Sequence, residues 1–268
     1  MDQHALEYFS AYTGDSSTGH FHRVMPIHDD PTIDWSQLKA LSPGLCRGWF
    51  ELAKLPSSDR IEFSHDFWLS KLPYRPNLKE SLDNFFGQLD DIGIFITQQK
   101  YDDPFSSTMV YSLRDNEGFF LGNDPAGEQE ILALQRDFLD TILPNDFTTF
   151  LQMHNGFAKY TDTGVTSTGE MYKRYEEFQE GFEKEYPIPL FKGEPVNPKD
   201  LIPFYKSFGM PYFQCFWKQW YPDQEMGNVY YSLKARTIPD YILTGVGSET
   251  MAFETFVDWL MFYLEKVD

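Results

Sequence analysis

The stretch ILPNDFTTFLQMHNGF, residues 142–157, decides the reading of this chain, because it joins a proline start, an amphipathic face and an Asn-Gly stop in one short segment. Pro144 has φ fixed near the helical value and no N–H to lose, so it suits a first helical turn. Phe147, Phe150 and Leu151 then share one face of the helix that follows. Asn155 and Gly156 both tolerate the left-handed conformation of a helix terminus, so the helix is expected to end there. The segment is a structural signature and contains no catalytic one.

Outward from it, Ile202-Pro203 leads into an aromatic strand YFQCFW (212–217), a turn at 222–227, a second strand NVYYSL (228–233) and a closing helix AFETFVDWLMFYLEKV (252–267). The Leu143-Pro144, Phe147, Phe150-Leu151 and Asn155-Gly156 pattern, with this order of elements after it, resembles the SUKH superfamily, which includes fungal cell-wall-synthesis regulators and bacterial toxin-immunity proteins. The resemblance covers residues 126–268 and leaves residues 1–125 without a match. It implies an α+β binding module, a mostly antiparallel sheet flanked by helices, with no common catalytic residues and with partners that differ between members.

Composition agrees with a folded binding protein. Of 268 residues, 41% are hydrophobic and 18% aromatic, enough for a real core and unlike a disordered chain. The formal net charge is −19, spread over both halves: 19 acids against 10 bases in residues 1–125, and 22 against 12 in residues 126–268. Such a charge repels phosphate backbones and anionic membrane surfaces, which argues against nucleic acid and favours a basic protein partner. It also keeps an aromatic-rich surface soluble. Cys46 and Cys215, each beside an apolar residue, read as buried free thiols in a reducing compartment. No apolar run approaches the roughly 20 residues needed to span a bilayer, and the N-terminus lacks a basic-then-apolar leader, so a cytoplasmic protein is expected.

Along the chain, residues 1–30 show little periodicity and read as an irregular arm tied down at Phe9, Tyr12, Phe21 and Val24. Residues 31–125 read as short helices and β-strands. Asp34 caps a helix through Leu41, residues 48–55 and 64–72 form two more, and Leu78, Leu82, Phe85, Phe86 and Leu89 mark another. GIFIT (93–97), MVYSL (109–113) and GFFL (118–121) are strands, the last two a hairpin, expected to extend the sheet of the second half or pack on it. In residues 126–268, Ile131, Leu134, Phe138 and Ile142 form one helical stripe. Ser167 and Glu170 form a capping box before a second, Met171 to Tyr186. The closing helix is apolar on more than one stripe, through Trp259, Phe262 and Tyr263, so the N-terminal half is expected to cover it, with a homodimer contact as the alternative; the chain reads as monomer or homodimer.

Chemistry is sparse. His20-X-His22 and His28-X-Asp30 have ligand spacing, so a metal-dependent enzyme built on His20, His22, His28 and Asp30 is the alternative reading. Solvated or capping histidines in a loose arm account for the same residues. Gly14-Asp15-Ser16 and Gly245-Val246-Gly247-Ser248 have no strand-to-helix elbow, and Ser248 reads as a helix cap. There is no phosphate-binding glycine loop. The expectation is therefore a non-enzymatic protein-interaction module without a cofactor. Its partner-binding residues would be Trp217, Trp220, Tyr221, Asp223 and Glu225, an aromatic-acidic run at an exposed turn, with Tyr160 and Asp162 as weaker choices.

Overall fold

The computed structural model describes residues 1–12, 19–30, 32–209, 212–234, 238 and 251–265. The fold is α+β, with antiparallel sheets flanked by helices. It divides into two units, residues 1–71, 79–125 and 153–160 in the first, and 72–78, 126–152 and 161–268 in the second.

The first unit contains α1 (Gln3–Tyr8), α2 (Trp35–Leu41), α3 (Arg47–Ala53), α4 (Ser57–Lys71) and most of α5 (Leu78–Gly87). Its five-stranded sheet runs in the order β1 (Arg23–Pro26), β2 (Leu89–Gln98), β3 (Phe105–Leu113), β4 (Phe119–Asn123), β5 (Phe157–Lys159). The strands read at 93–121 are its β2, β3 and β4, and β4 pairs with β5, a strand from residues 126–268. Period-two alternation sends Phe95, Val110 and Phe119 to one face, where they meet Ala5, Phe9 and Phe21. On the other face Trp68 and Phe85 pack with Tyr111, Phe120 and Phe157. The β3–β4 turn puts Asp115 and Asn116 at φ 60° and 57°, a conformation that Asp and Asn tolerate.

The arm expected to be irregular is therefore ordered wherever it is described. Asp2 caps α1 by accepting from the His4 N–H, and Phe9 stacks on Phe95 at 4.3 Å. A six-residue helix has too short a period to read and is stabilised by those contacts. Tyr12 remains exposed. α4 begins at Ser57, seven residues before the start at 64 read from the sequence.

In the second unit the sheet order is β11 (Ala252–Phe253), β10 (Asn228–Ser232), β9 (Tyr212–Trp217), β8 (Leu201–Lys206), with a small separate hairpin of β6 (Leu190–Phe191) and β7 (Glu194–Pro195). The long α8 (Thr168–Lys184) covers one face, Phe178 meeting Phe213 and Tyr231. α7 (Asn145–Leu151) and α9 (Phe256–Leu264) cover the other, with Phe147, Phe204, Phe216 and Phe256 in mutual contact. α6 (Glu128–Asp137) buries Leu134, and Phe138 just beyond it packs on Tyr172 and Tyr175. Ile142, expected to continue that stripe, is exposed.

Leu143, Phe147, Phe150 and Leu151 are buried, as the sequence pattern requires, but both ends of their helix differ. Pro144 is the N-cap, at ψ 137°, not a first-turn residue. The helix stops at Leu151, before Asn155-Gly156, because the next residues enter the first unit: the Asn155 N–H donates to the Asp124 carbonyl, and Gly156, at φ 104°, turns the chain into β5. Ala252 and Phe253, read as the start of the closing helix, pair with β10 instead, and Thr255 caps α9. Ser167 precedes α8 without a side-chain cap bond. Gly14, Asp15, Ser16, Val267 and residues 245–248 lie outside the described residues.

Candidate functional site

The turn between β9 and β10 carries the residues that the sequence nominated, and the structure assigns them different tasks. Trp217 is buried, its ring edge-to-face with Phe191 at 4.9 Å, so it is core. Its indole N–H has no hydrogen-bond partner among the described residues. Trp220 lies over Gly227, where any Cβ would strike its ring. Asp223 accepts from Arg75, a residue of the second unit that also binds Asp258 at 2.8 Å and Glu254 at 3.3 Å. Burial opposes the charge on Arg75, but Asp258 and Asp223 outweigh it and hold its pKa above the ordinary value. Glu225 accepts the Asn145 N–H at 2.9 Å, satisfying an orphan donor at the start of α7. Both acids therefore hold the turn in place. Tyr221 is left projecting from it, 54% exposed.

Asp162 is likewise structural. It accepts from the Tyr205 hydroxyl at 2.7 Å, the Tyr263 hydroxyl at 3.3 Å and the Phe208 N–H at 2.9 Å, tying β8 to α9. Burial first, and this carboxylate second, push the Tyr205 phenol above its ordinary pKa. Tyr160, in the first unit, stacks on Phe119 at 4.9 Å and covers Gly118, whose φ of 100° suits glycine.

The motif segment itself holds two buried ionisable groups. Asp146 accepts from the Val257 N–H at 3.0 Å and the Phe147 N–H at 2.8 Å, so one carboxylate serves the first turns of both α9 and α7. Burial outweighs these bonds and pushes its pKa up to about 6. His154 Nε2 is 2.7 Å from the Tyr111 hydroxyl, which accepts from Trp68 Nε1 at 3.0 Å. The Tyr111 hydroxyl keeps its proton for a neutral His154 Nε2 to accept, and burial lowers the His154 pKa to about 3. Both groups act inside the core.

A cavity of about 70 Å³ opens between α8 and the edge strand β8, lined by Arg174, Glu177, Phe178, Pro203, Lys206 and Phe213 among others. Arg174, Glu177 and Phe178 share a helix face at i, i+3 and i+4. Lys206 arrives there through a β-bulge: the register shifts between Pro203 and Tyr205, so Tyr205 joins Phe204 on the α9 side against Trp259. Lys206 then points to the α8 side, 5.5 Å from the centre of the Phe213 ring. Strict alternation would have placed it on the opposite face. No pattern in the sequence announced this bulge or singled out Arg75.

The nominated metal ligands go to separate partners. His20 lies against Tyr8 and His22 against Tyr101. His28 Nδ1 is 3.1 Å from both the carbonyl and the N–H of Ile94, while Asp30 accepts from Thr32. Burial lowers the His28 pKa. Among the described residues no three His, Cys, Asp or Glu side chains form a group able to hold a metal ion. No described helix is long and apolar enough to cross a membrane. The chain matches no family model and no curated protein.

Proposed function

We propose that this chain is a non-enzymatic protein-recognition module of the SUKH type, acting in the cytoplasm on a basic protein partner. The observation that carries the reading is the turn after β9, which is pinned by Arg75–Asp223 and Glu225–Asn145 while Tyr221 stands exposed between them. A preorganised tyrosine loses little entropy on binding and is a frequent interface anchor. The net charge of −19 attracts a basic partner at long range, while the anchor supplies short-range affinity. The order of α7, β8, β9, β10 and α9 supports the resemblance on which the family reading rests. Toxin immunity and regulatory scaffolding are the two roles this surface suits.

The test begins with capture from native lysate, followed by calorimetric titration of the purified partner. Tyr221→Ala should weaken binding by about 2 kcal/mol with the fold intact, and higher salt should weaken wild type and variant alike. A partner that is not basic, or that binds Tyr221→Ala as tightly as wild type, contradicts the proposal. For the immunity role, co-expression must rescue growth from a toxin encoded beside the gene.

A further inference from the structure

We propose that the cavity between α8 and β8 binds a free α-amino acid with a short apolar side chain. This inference goes beyond protein recognition and does not depend on it. The lining combines two cations, Arg174 and Lys206, one carboxylate, Glu177, and an apolar floor of Phe178, Pro203 and Phe213. A carboxylate ligand alone would leave Glu177 opposing it, and an amine alone would face both cations. A zwitterion uses all three charges, and its zero net charge spares it the repulsion that a chain of charge −19 imposes on anions.

The charges are available. Among the described residues Lys206 Nζ meets the Phe213 ring and no carboxylate. Arg174 directs Nε and Nη2 at the exposed Glu170, and Glu177 lies 3.7 Å from the exposed Lys173. Exposed i,i+4 pairs of this kind are weak, so a ligand competes with them readily. The floor sets the size. An apolar cavity of about 150 Å³ takes benzene, so one of about 70 Å³ takes a methyl to isopropyl group and excludes a phenyl ring. The carboxylate and ammonium remain at the mouth, where the charged lining lies. The bulge that turns Lys206 onto this face fits the same reading, since bulges re-aim side chains beside sites.

Calorimetry or NMR titration of the full chain with L-alanine, L-valine, L-phenylalanine, isovalerate and isobutylamine tests the proposal. L-Alanine and L-valine should bind saturably. Isovalerate, isobutylamine and L-phenylalanine should each bind at least about tenfold more weakly, since each lacks one charged contact or exceeds the floor. Lys206→Met and Glu177→Gln, with folding checked by circular dichroism, should each weaken L-valine by about tenfold, and Lys206→Arg should restore much of it. Lys79→Met, in the first unit, should bind as wild type. No saturable binding of either small amino acid, equal binding of isovalerate and L-valine, or unchanged binding by both Lys206→Met and Glu177→Gln would overturn it.

Discussion

His154 in the first unit and Asp146 in the second lie in the same sixteen-residue segment, and burial disfavours the charged form of each, which lowers the pKa of the base and raises that of the acid. His154 is held neutral by burial and ends a chain of polar rings from Trp68 through Tyr111. Asp146 accepts backbone N–H groups at the first turns of two helices, and burial still raises its pKa to about 6. The difference teaches that one stretch of sequence can serve two cores. Its apolar residues Phe147, Phe150 and Leu151 belong to one sheet, and its tail from Met153 onward belongs to another.

The largest effects that sharpen this comparison are core truncations. Trp68→Ala should cost about 3–5 kcal/mol and strip hydrogen-exchange protection first from β2–β4, whereas Phe147→Ala should cost a similar amount and act first on β8–β10. Protection lost equally from both sheets in both variants would erase the distinction.

Acidity comes next, and its sign differs between the units. The folded-state pKa of His154 lies below the ordinary 6.5, at about 3, so its contribution is full above pH 6.5 and is lost as pH falls toward 3. The folded-state pKa of Asp146 lies above the ordinary 3.8, at about 6, so its contribution is full below pH 3.8 and is lost as pH rises through 6. Difference melts against His154→Gln and Asp146→Asn across this window should show slopes of opposite sign. Slopes of one sign would break the contrast.

Smaller effects follow. Arg75→Met leaves Asp223, Glu254 and Asp258 without their shared cation and should cost the second unit about 1.5–3 kcal/mol, read by denaturant titration. Gly122→Ala drives a Cβ into the His154 ring and should cost the first unit about 1–3 kcal/mol, with Tyr111 fluorescence altered. A neutral result at either position would show that the contact gives way without cost.

Much of the architecture was legible in the sequence. YFQCFW coincides with β9, the Asp34 cap starts α2, and Phe147, Phe150 and Leu151 point into a core as their spacing requires. What was not legible depends on tertiary partners. α1 is too short to show a period and is set by Phe9 on Phe95. Gly156 follows β5 pairing rather than helix termination. The candidate sites were less legible still. Asp223, Glu225 and Asp162 looked free because Arg75, Asn145 and Tyr205 stand far from them in sequence. The Lys206 side chain changes face through a bulge that strand periodicity does not encode.

The most direct test of the two-core account is residue-resolved hydrogen exchange on wild type and His154→Gln at pH 7 and at pH 4, with opening free energies corrected for intrinsic exchange. The account predicts that acidification lowers the opening free energy of β2–β4 in wild type, that His154→Gln removes most of that loss, and that β8–β10 do not follow it. A uniform fall across both sheets, or an acid loss in β2–β4 that survives His154→Gln, would contradict it.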